Sequence, residues 1–169
     1  MSDLVDTTTD SVHKDSSFHK KLDQEGPFAR EPTGILTKDA LIKLRRVISE
    51  KAYLDFKERR EELMGERVSL MKQNKQQEYM QAVGRSINEY REQVQKVTES
   101  AINFLDISEE DYVNSFKTIV QQPENAKIIE NIEMEVRDKL EPHQPMNKPS
   151  AEYKKIYCEK LQMEAQAEI

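Results

Sequence analysis

Few side chains in this sequence have the type and the spacing that a reaction or a metal ion requires. His13 and His19 are candidate metal ligands, but no cysteine or carboxylate cluster completes a site around them. Cys158 is the only cysteine, and no histidine lies near it in the sequence to activate it as a nucleophile. His143 lies among prolines. We expect none of the four to carry out chemistry.

Four carboxylates at residues 106–111 form a further candidate, as a cation site. They lack the alternating ligand positions of a calcium loop. Ser108 and Asp111 instead form an S-x-x-D capping box, which predicts the start of a helix. No glycine-rich phosphate loop or zinc-protease motif is present in the sequence. The sequence therefore predicts a protein that is not an enzyme and that has no cofactor.

Residues 38–60 combine basic side chains with bulky apolar ones. The basic residues that we considered for contact with a partner are Lys43, Arg45, Arg46, Arg59 and Arg60. A basic amphipathic helix is typical of calmodulin targets and of contacts with acidic surfaces such as a microtubule. The alternative is that its apolar side packs inside this protein while its basic side is solvated, and we favour this interpretation.

The composition indicates thin helical layers in a reducing compartment. Hydrophobic residues make up 36% and charged residues 34% of the 169 residues, tryptophan is absent and glycine numbers only 4. The net charge of −6 argues against nucleic-acid binding, which needs a dense basic surface. One cysteine permits no internal disulfide, and no apolar run approaches the roughly 20 residues of a membrane span. We expect a cytoplasmic protein without a membrane span.

Residues 80–105 carry an apolar stripe with alternating steps of three and four residues. Its members are Met80, Val83, Ile87, Tyr90, Val94, Val97, Ala101 and Phe104. This heptad pattern predicts a long helix that packs on another helix. A second helix begins at Thr37, and its stripe is out of phase with the first across the polar junction 72–77. The sequence therefore predicts a coiled-coil-like antiparallel hairpin over 37–106, with 41–56 along 94–105. One continuous rod is the alternative.

The rest of the chain divides into four parts. Residues 1–36 lack a sustained apolar period and predict a disordered or extended arm, in which Phe18, Leu22 and Phe28 are candidate anchors for a partner. Residues 107–141 predict a head of two short helices, the second beginning at Pro123. Residues 142–149 form a proline-rich linker.

Residues 150–169 predict a tethered amphipathic helix. Its candidate partner-binding residues are Tyr153, Ile156, Tyr157 and Leu161. Because such a short helix is unstable alone in water, it must dock on this protein or on another one. The sequence favours neither alternative.

The sequence therefore predicts an all-α structural or adaptor protein that binds other proteins of a larger assembly. Over residues 37–141, its composition rich in glutamine, asparagine and lysine resembles that of small helical accessory subunits, including those of cytoskeletal and ciliary complexes of protists. The resemblance implies a scaffold role and identifies no functional residue. The alternative function is that of a target for a calcium sensor of the calmodulin type, bound through residues 38–60.

Overall fold

The computed structural model describes residues 17–141, and within them the protein is all-helical, as predicted. The helices are α1 (residues 17–25), α2 (Lys38–Asp55), α3 (Lys57–Lys72), α4 (Gln76–Phe104), α5 (Glu109–Val120) and α6 (Pro123–Leu140). The described residues contain no β-strand and a single antiparallel bridge, between Arg30 and Leu36. They form two compact units, residues 17–56 with 90–140, and residues 57–89 with Glu141.

The first unit is built around α2. The fully buried residues of α2 include Leu41, Leu44 and Ile48, which belong to one apolar cluster with Val97 of α4 and Ile132 of α6. The backbone of α2 lies closest to α6. The sequence predicted α4 as the main neighbour of α2 and did not identify α6. Residues 129, 132 and 136 give α6 an apolar stripe of helical period, which α2 buries.

Two ion pairs between α2 and α6 define the relative direction of these helices. Arg46 pairs with Glu135 at 3.3 Å, and Glu50 pairs with Lys139 at 3.5 Å. Both pairs join residues 89 positions apart in the sequence. A constant offset means that α2 and α6 run parallel.

The helix starts follow the local signals in the sequence. The Thr37 hydroxyl accepts a hydrogen bond from the Ala40 N–H at 3.3 Å, and the Ser108 hydroxyl accepts one from the Asp111 N–H at 3.1 Å. Pro123 is the first residue of α6. Each start was predicted because a cap is decided by a few neighbouring residues.

The helices α3 and α4 both end in Schellman motifs that contain no glycine. After α3, Asn74 has φ 57°, and the Lys75 N–H donates to the Leu70 carbonyl at 3.1 Å. After α4, Asp106 has φ 55°, and the Ile107 N–H donates to the Ile102 carbonyl at 2.9 Å. The chain therefore turns at residues 73–75, in the middle of the polar junction.

The prediction of a disordered or extended arm is wrong for residues 17–36. Residues 17–25 are helical, and Phe18, Leu22 and Leu36 are buried in the core of the first unit. A turn at residues 31–34, with Gly34 at φ 94°, leads the chain back to α2. The apolar period of α1 is too short to stand out in the sequence, and tertiary burial stabilises it. Residues 1–16 and the predicted linker and helix at 142–169 lie outside the described residues.

Candidate partner-binding surface

The first three predicted anchors belong to the core of the first unit. Phe18 and Leu22 are buried in it, and Phe28 is half-buried against it. The Lys43 ammonium lies 5.9 Å from the centre of the Phe28 ring. Phe18 and Leu22 are therefore not exposed anchors, because their side chains already have apolar neighbours in this chain. The other four candidates, Tyr153, Ile156, Tyr157 and Leu161, lie outside the described residues and stay predictions.

Among the described residues, the candidates for chemistry occupy structural positions. The His19 ring stacks on Phe104, with ring centres 4.1 Å apart and planes at 7°. Asp111 belongs to the first turn of α5, where its N–H is capped by Ser108. Within residues 17–141, no three histidine, cysteine or carboxylate side chains are grouped as a metal site requires. The predicted residues His13, His143 and Cys158 lie outside that range.

The basic residues of the first unit have partners in the same chain. Arg46 pairs with Glu135, and an Arg45 nitrogen donates to the Tyr112 hydroxyl at 3.3 Å. The Arg45 guanidinium also lies 5.9 Å from the centre of the Phe116 ring. The apolar side of the same helix is the core of the unit. This arrangement matches the favoured interpretation, with the apolar side inside.

The two predicted contact residues in the second unit, Arg59 and Arg60, are paired as well. Arg59 donates to both carboxylate oxygens of Glu89 at 3.0 Å and also pairs with Glu62 at 3.0 Å. The hydrogen bonds that Arg59 donates to Glu89 and Glu62 raise the pKa of its guanidinium. The bond from Arg59 in turn lowers the pKa of the Glu89 carboxyl. Arg60 lies 4.0 Å from Glu141.

An open groove of about 400 Å³ lies on the first unit. Its lining consists of Leu22, Asp23, Gly26, Pro27, Phe28, Arg30, Leu105 and Ile107. The Arg30 guanidinium, its one cationic group, donates to the carbonyls of Leu105 at 3.3 Å and Asp106 at 2.8 Å. Arg30 therefore caps the end of α4, which accounts for its charge without a ligand.

The second unit is an antiparallel pair formed by α3 and the first part of α4. Arg85 pairs with Glu66 at 2.7 Å, and an Arg67 nitrogen donates to the Ser86 hydroxyl at 2.6 Å. Counting along both helices from the Glu66–Arg85 pair identifies three further levels. They are Met64 with Ile87, Val68 with Val83, and Met71 with Met80.

These six apolar residues lie on one side of the helix pair. Leu63 and Ala82 are buried and mark the inward positions of the two helices. Met64 and Val83 each follow an inward residue, so each stripe lies about 100° around its helix, in the same rotational sense. Because the helices are antiparallel, both stripes reach the same side. We call Met64, Val68, Met71, Met80, Val83 and Ile87 the apolar face.

Much of the apolar face is open to solvent. The exposed fractions are 51% for Met64, 37% for Val68, 58% for Met80 and 49% for Ile87, while Met71 and Val83 are half-buried. The heptad stripe of residues 80–105 is therefore buried only in part, at Val97 and Ala101. Contiguous exposed apolar side chains mark interaction sites on protein surfaces.

Sequence reasoning misjudged the surroundings of the apolar face. It identified Met80, Val83 and Ile87 as a stripe, but expected another helix of the chain to cover them. The positions that face the neighbouring helix are Leu63 and Ala82. Each precedes a residue of the apolar face by one position, and sequence reasoning did not use this offset. An alanine that is buried while its larger neighbours stay exposed shows which side of a helix faces inward.

No protein-family model matches the chain. No curated protein and no solved structure matches it either. No helix within residues 17–141 has the length and apolar character to cross a membrane.

Proposed function

We propose that this protein is a non-enzymatic adaptor subunit that binds a partner protein of a larger assembly through the apolar face. The single observation that carries this proposal is the exposure of apolar side chains from two helices on one side of the second unit. Two adjacent helices with apolar side chains at heptad spacing form a groove that accepts a third helix. The partner is therefore an amphipathic helix.

The α3 stripe of the apolar face continues into charged residues toward the start of the helix. Lys57 lies seven residues before Met64, and Glu61 lies seven residues before Val68. One charge of each sign stands beside this end of the face and favours neither sign in the partner. A cytoplasmic assembly of the cytoskeletal or ciliary kind, as the resemblance in composition implies, is the proposed setting.

A matched pair of variants tests this function. Ile87→Glu places a charge in the apolar face, while Asn88→Glu places the same charge about 100° around α4 and outside that face, at an exposed position. Tagged chains are purified from cells of the source organism, and the retained proteins are identified and then bound again with purified components. We expect Ile87→Glu to lose a partner that the wild type and Asn88→Glu retain. Equal recovery with all three chains would refute the role of the apolar face.

The calcium-sensor alternative requires the apolar side of α2 to be accessible to the sensor. Its anchors would be the apolar residues of 38–60, but Leu41, Leu44 and Ile48 are fully buried in the first unit. A sensor would have to extract the central helix of that unit, at the cost of the core. Titration of the full chain with calcium-loaded calmodulin separates the two functions. Tight calcium-dependent binding by the full chain would favour the alternative.

A further inference from the structure

We infer that, in the free chain, residues 150–169 cover the apolar face as a third amphipathic helix. The exposed face and the amphipathic helix that the sequence predicts over residues 150–169 each require an apolar surface to cover them. This inference rests on the proposed function in one respect, because it names the segment that a partner helix would replace.

The position of Glu141 supports this occupant. Its carboxylate lies 4.0 Å from the Arg60 guanidinium, and it is the last residue that the structure describes. Arg60 precedes Met64 by one helical turn, so the described chain ends beside one end of the apolar face. The face extends about 16 Å from Arg60 to Met71 at 1.5 Å per residue.

The linker is long enough for this docking. About eleven residues separate Glu141 from Tyr153, and an extended chain of that length spans up to about 35 Å. This reach exceeds the distance along the face. A tether of this length holds the segment at an effective concentration in the millimolar range. At micromolar protein, the chain's own segment therefore outcompetes the same segment of a second copy.

The spacing of the apolar residues also fits. Tyr153, Ile156, Tyr157 and Leu161 fall at helical steps of three and four residues. As a helix, their stripe extends about 12 Å, which is close to the roughly 10 Å between Met64 and Met71. A segment of this length lacks stability as an isolated helix, so the face provides the burial that orders it.

Cross-linking through the natural thiol tests the inference. Because Cys158 is the only cysteine, one added cysteine gives each variant a single pair of thiols. Met80→Cys and Ile87→Cys place the second thiol in the apolar face. Gln81→Cys and Asn88→Cys are the matched controls, each about 100° around α4 from the face residue that it follows. Each purified full-length chain is treated with a short bismaleimide at low micromolar concentration, and the products are separated by mass.

We expect a cross-link within one chain for Met80→Cys and Ile87→Cys, with a yield at least several-fold above that of the two controls. Cross-linked dimers as the main product would overturn the inference and show that a second copy covers the face. Equal yields at all four positions, or none, would also overturn it. These measurements use the isolated chain, so failure to find a partner protein would leave their result unchanged and would count only against the proposed function.

A second measurement detects docking through stability. A chain that ends at Glu141 should unfold at lower temperature than the full chain, followed by circular dichroism. Ile87→Glu should lower the melting temperature of the full chain by several degrees more than it does that of the shortened chain, because only the full chain has the contact to lose. Equal effects in both chains would contradict cis docking.

Discussion

Glu50 of α2 forms ion pairs with two other helices of the first unit, α1 and α6. Its carboxylate lies 2.8 Å from the Lys21 ammonium of α1 and 3.5 Å from the Lys139 ammonium of α6. Partial burial on its own would raise the pKa of Glu50, but the hydrogen bond from Lys21 and the charges of Lys21 and Lys139 together lower it below the ordinary value of 4.5. The ionised carboxylate therefore stabilises the folded state.

The first prediction concerns the pH dependence of this contribution. Because the pKa of Glu50 is lower in the folded than in the unfolded chain, its stabilisation is present above the unfolded value near 4.5 and is lost as the pH falls through the folded value. Glu50→Gln should therefore destabilise the protein at pH 7, by about 0.5–1 kcal/mol for pairs this exposed.

Urea unfolding at pH 7 and at pH 3 measures the difference. The gap between wild type and Glu50→Gln should be larger at pH 7 and should shrink at pH 3, because the wild-type carboxyl takes up a proton as the pH falls through its folded pKa. Glu110→Gln is the control, because Glu110 is exposed in the first turn of α5. A gap that is the same at both pH values would show that Glu50 does not act through its charge.

Two buried serines of the first unit, Ser115 and Ser49, differ in their hydrogen bonding. Ser115 is fully buried, accepts a hydrogen bond from the Leu36 N–H at 2.8 Å, and donates to the Asp111 carbonyl at 2.5 Å. It therefore joins the turn before α2 to α5. Ser49 is equally buried, yet its hydroxyl has no hydrogen-bond partner within residues 17–141. Its small size at a contact position of α2 explains its presence better than its polarity does.

At the scale of elements, the turn between α3 and α4 depends on one left-handed residue. Asn74 has φ 57°, a conformation that costs most residues roughly 1–2 kcal/mol and costs glycine little. Asn74→Gly should therefore keep or raise the stability of the protein, and Asn74→Val should lower it by about 1 kcal/mol or more.

Thermal unfolding of the two variants beside the wild type checks this order. Lys75→Val, at the next exposed position, is the control for introducing a β-branched residue into the turn. If Asn74→Val and Lys75→Val lowered the melting temperature equally, the left-handed conformation would not be the cause.

These turns explain which elements could be predicted. The starts of α2, α5 and α6 depend on local caps and a proline, so the sequence predicted them. The ends of α3 and α4 have asparagine and aspartate where glycine is usual, so the turn at residues 73–75 could not be separated from a continuous rod. The helix α1 was missed because Phe18 and Leu22, four residues apart, gain their stability from the core of the first unit.

At the scale of the whole described chain, the main limit on prediction was the distance in sequence between packed helices. The parallel partners α2 and α6 are joined by pairs 89 residues apart. Sequence reasoning paired neighbouring helices, because consecutive elements usually pack together. The apolar stripe of α6 was visible, but nothing in it identified the helix that it contacts. For the same reason, the stripe of α4 did not show that Met80 and Ile87 stay exposed.

The last prediction tests the contribution of α6 to the first unit. Ile132 is 1% exposed, whereas Met134 on the same helix is 55% exposed. Ile132→Ala removes apolar atoms from the core and leaves a cavity, so it should lower the free energy of unfolding by about 2–4 kcal/mol. Met134→Ala removes a side chain of similar size from the surface and should change it by less than about 0.5 kcal/mol. Urea unfolding followed by circular dichroism measures both. Equal small effects would show that α2 does not depend on α6 for its burial, and the parallel pairing of these two helices would then be wrong.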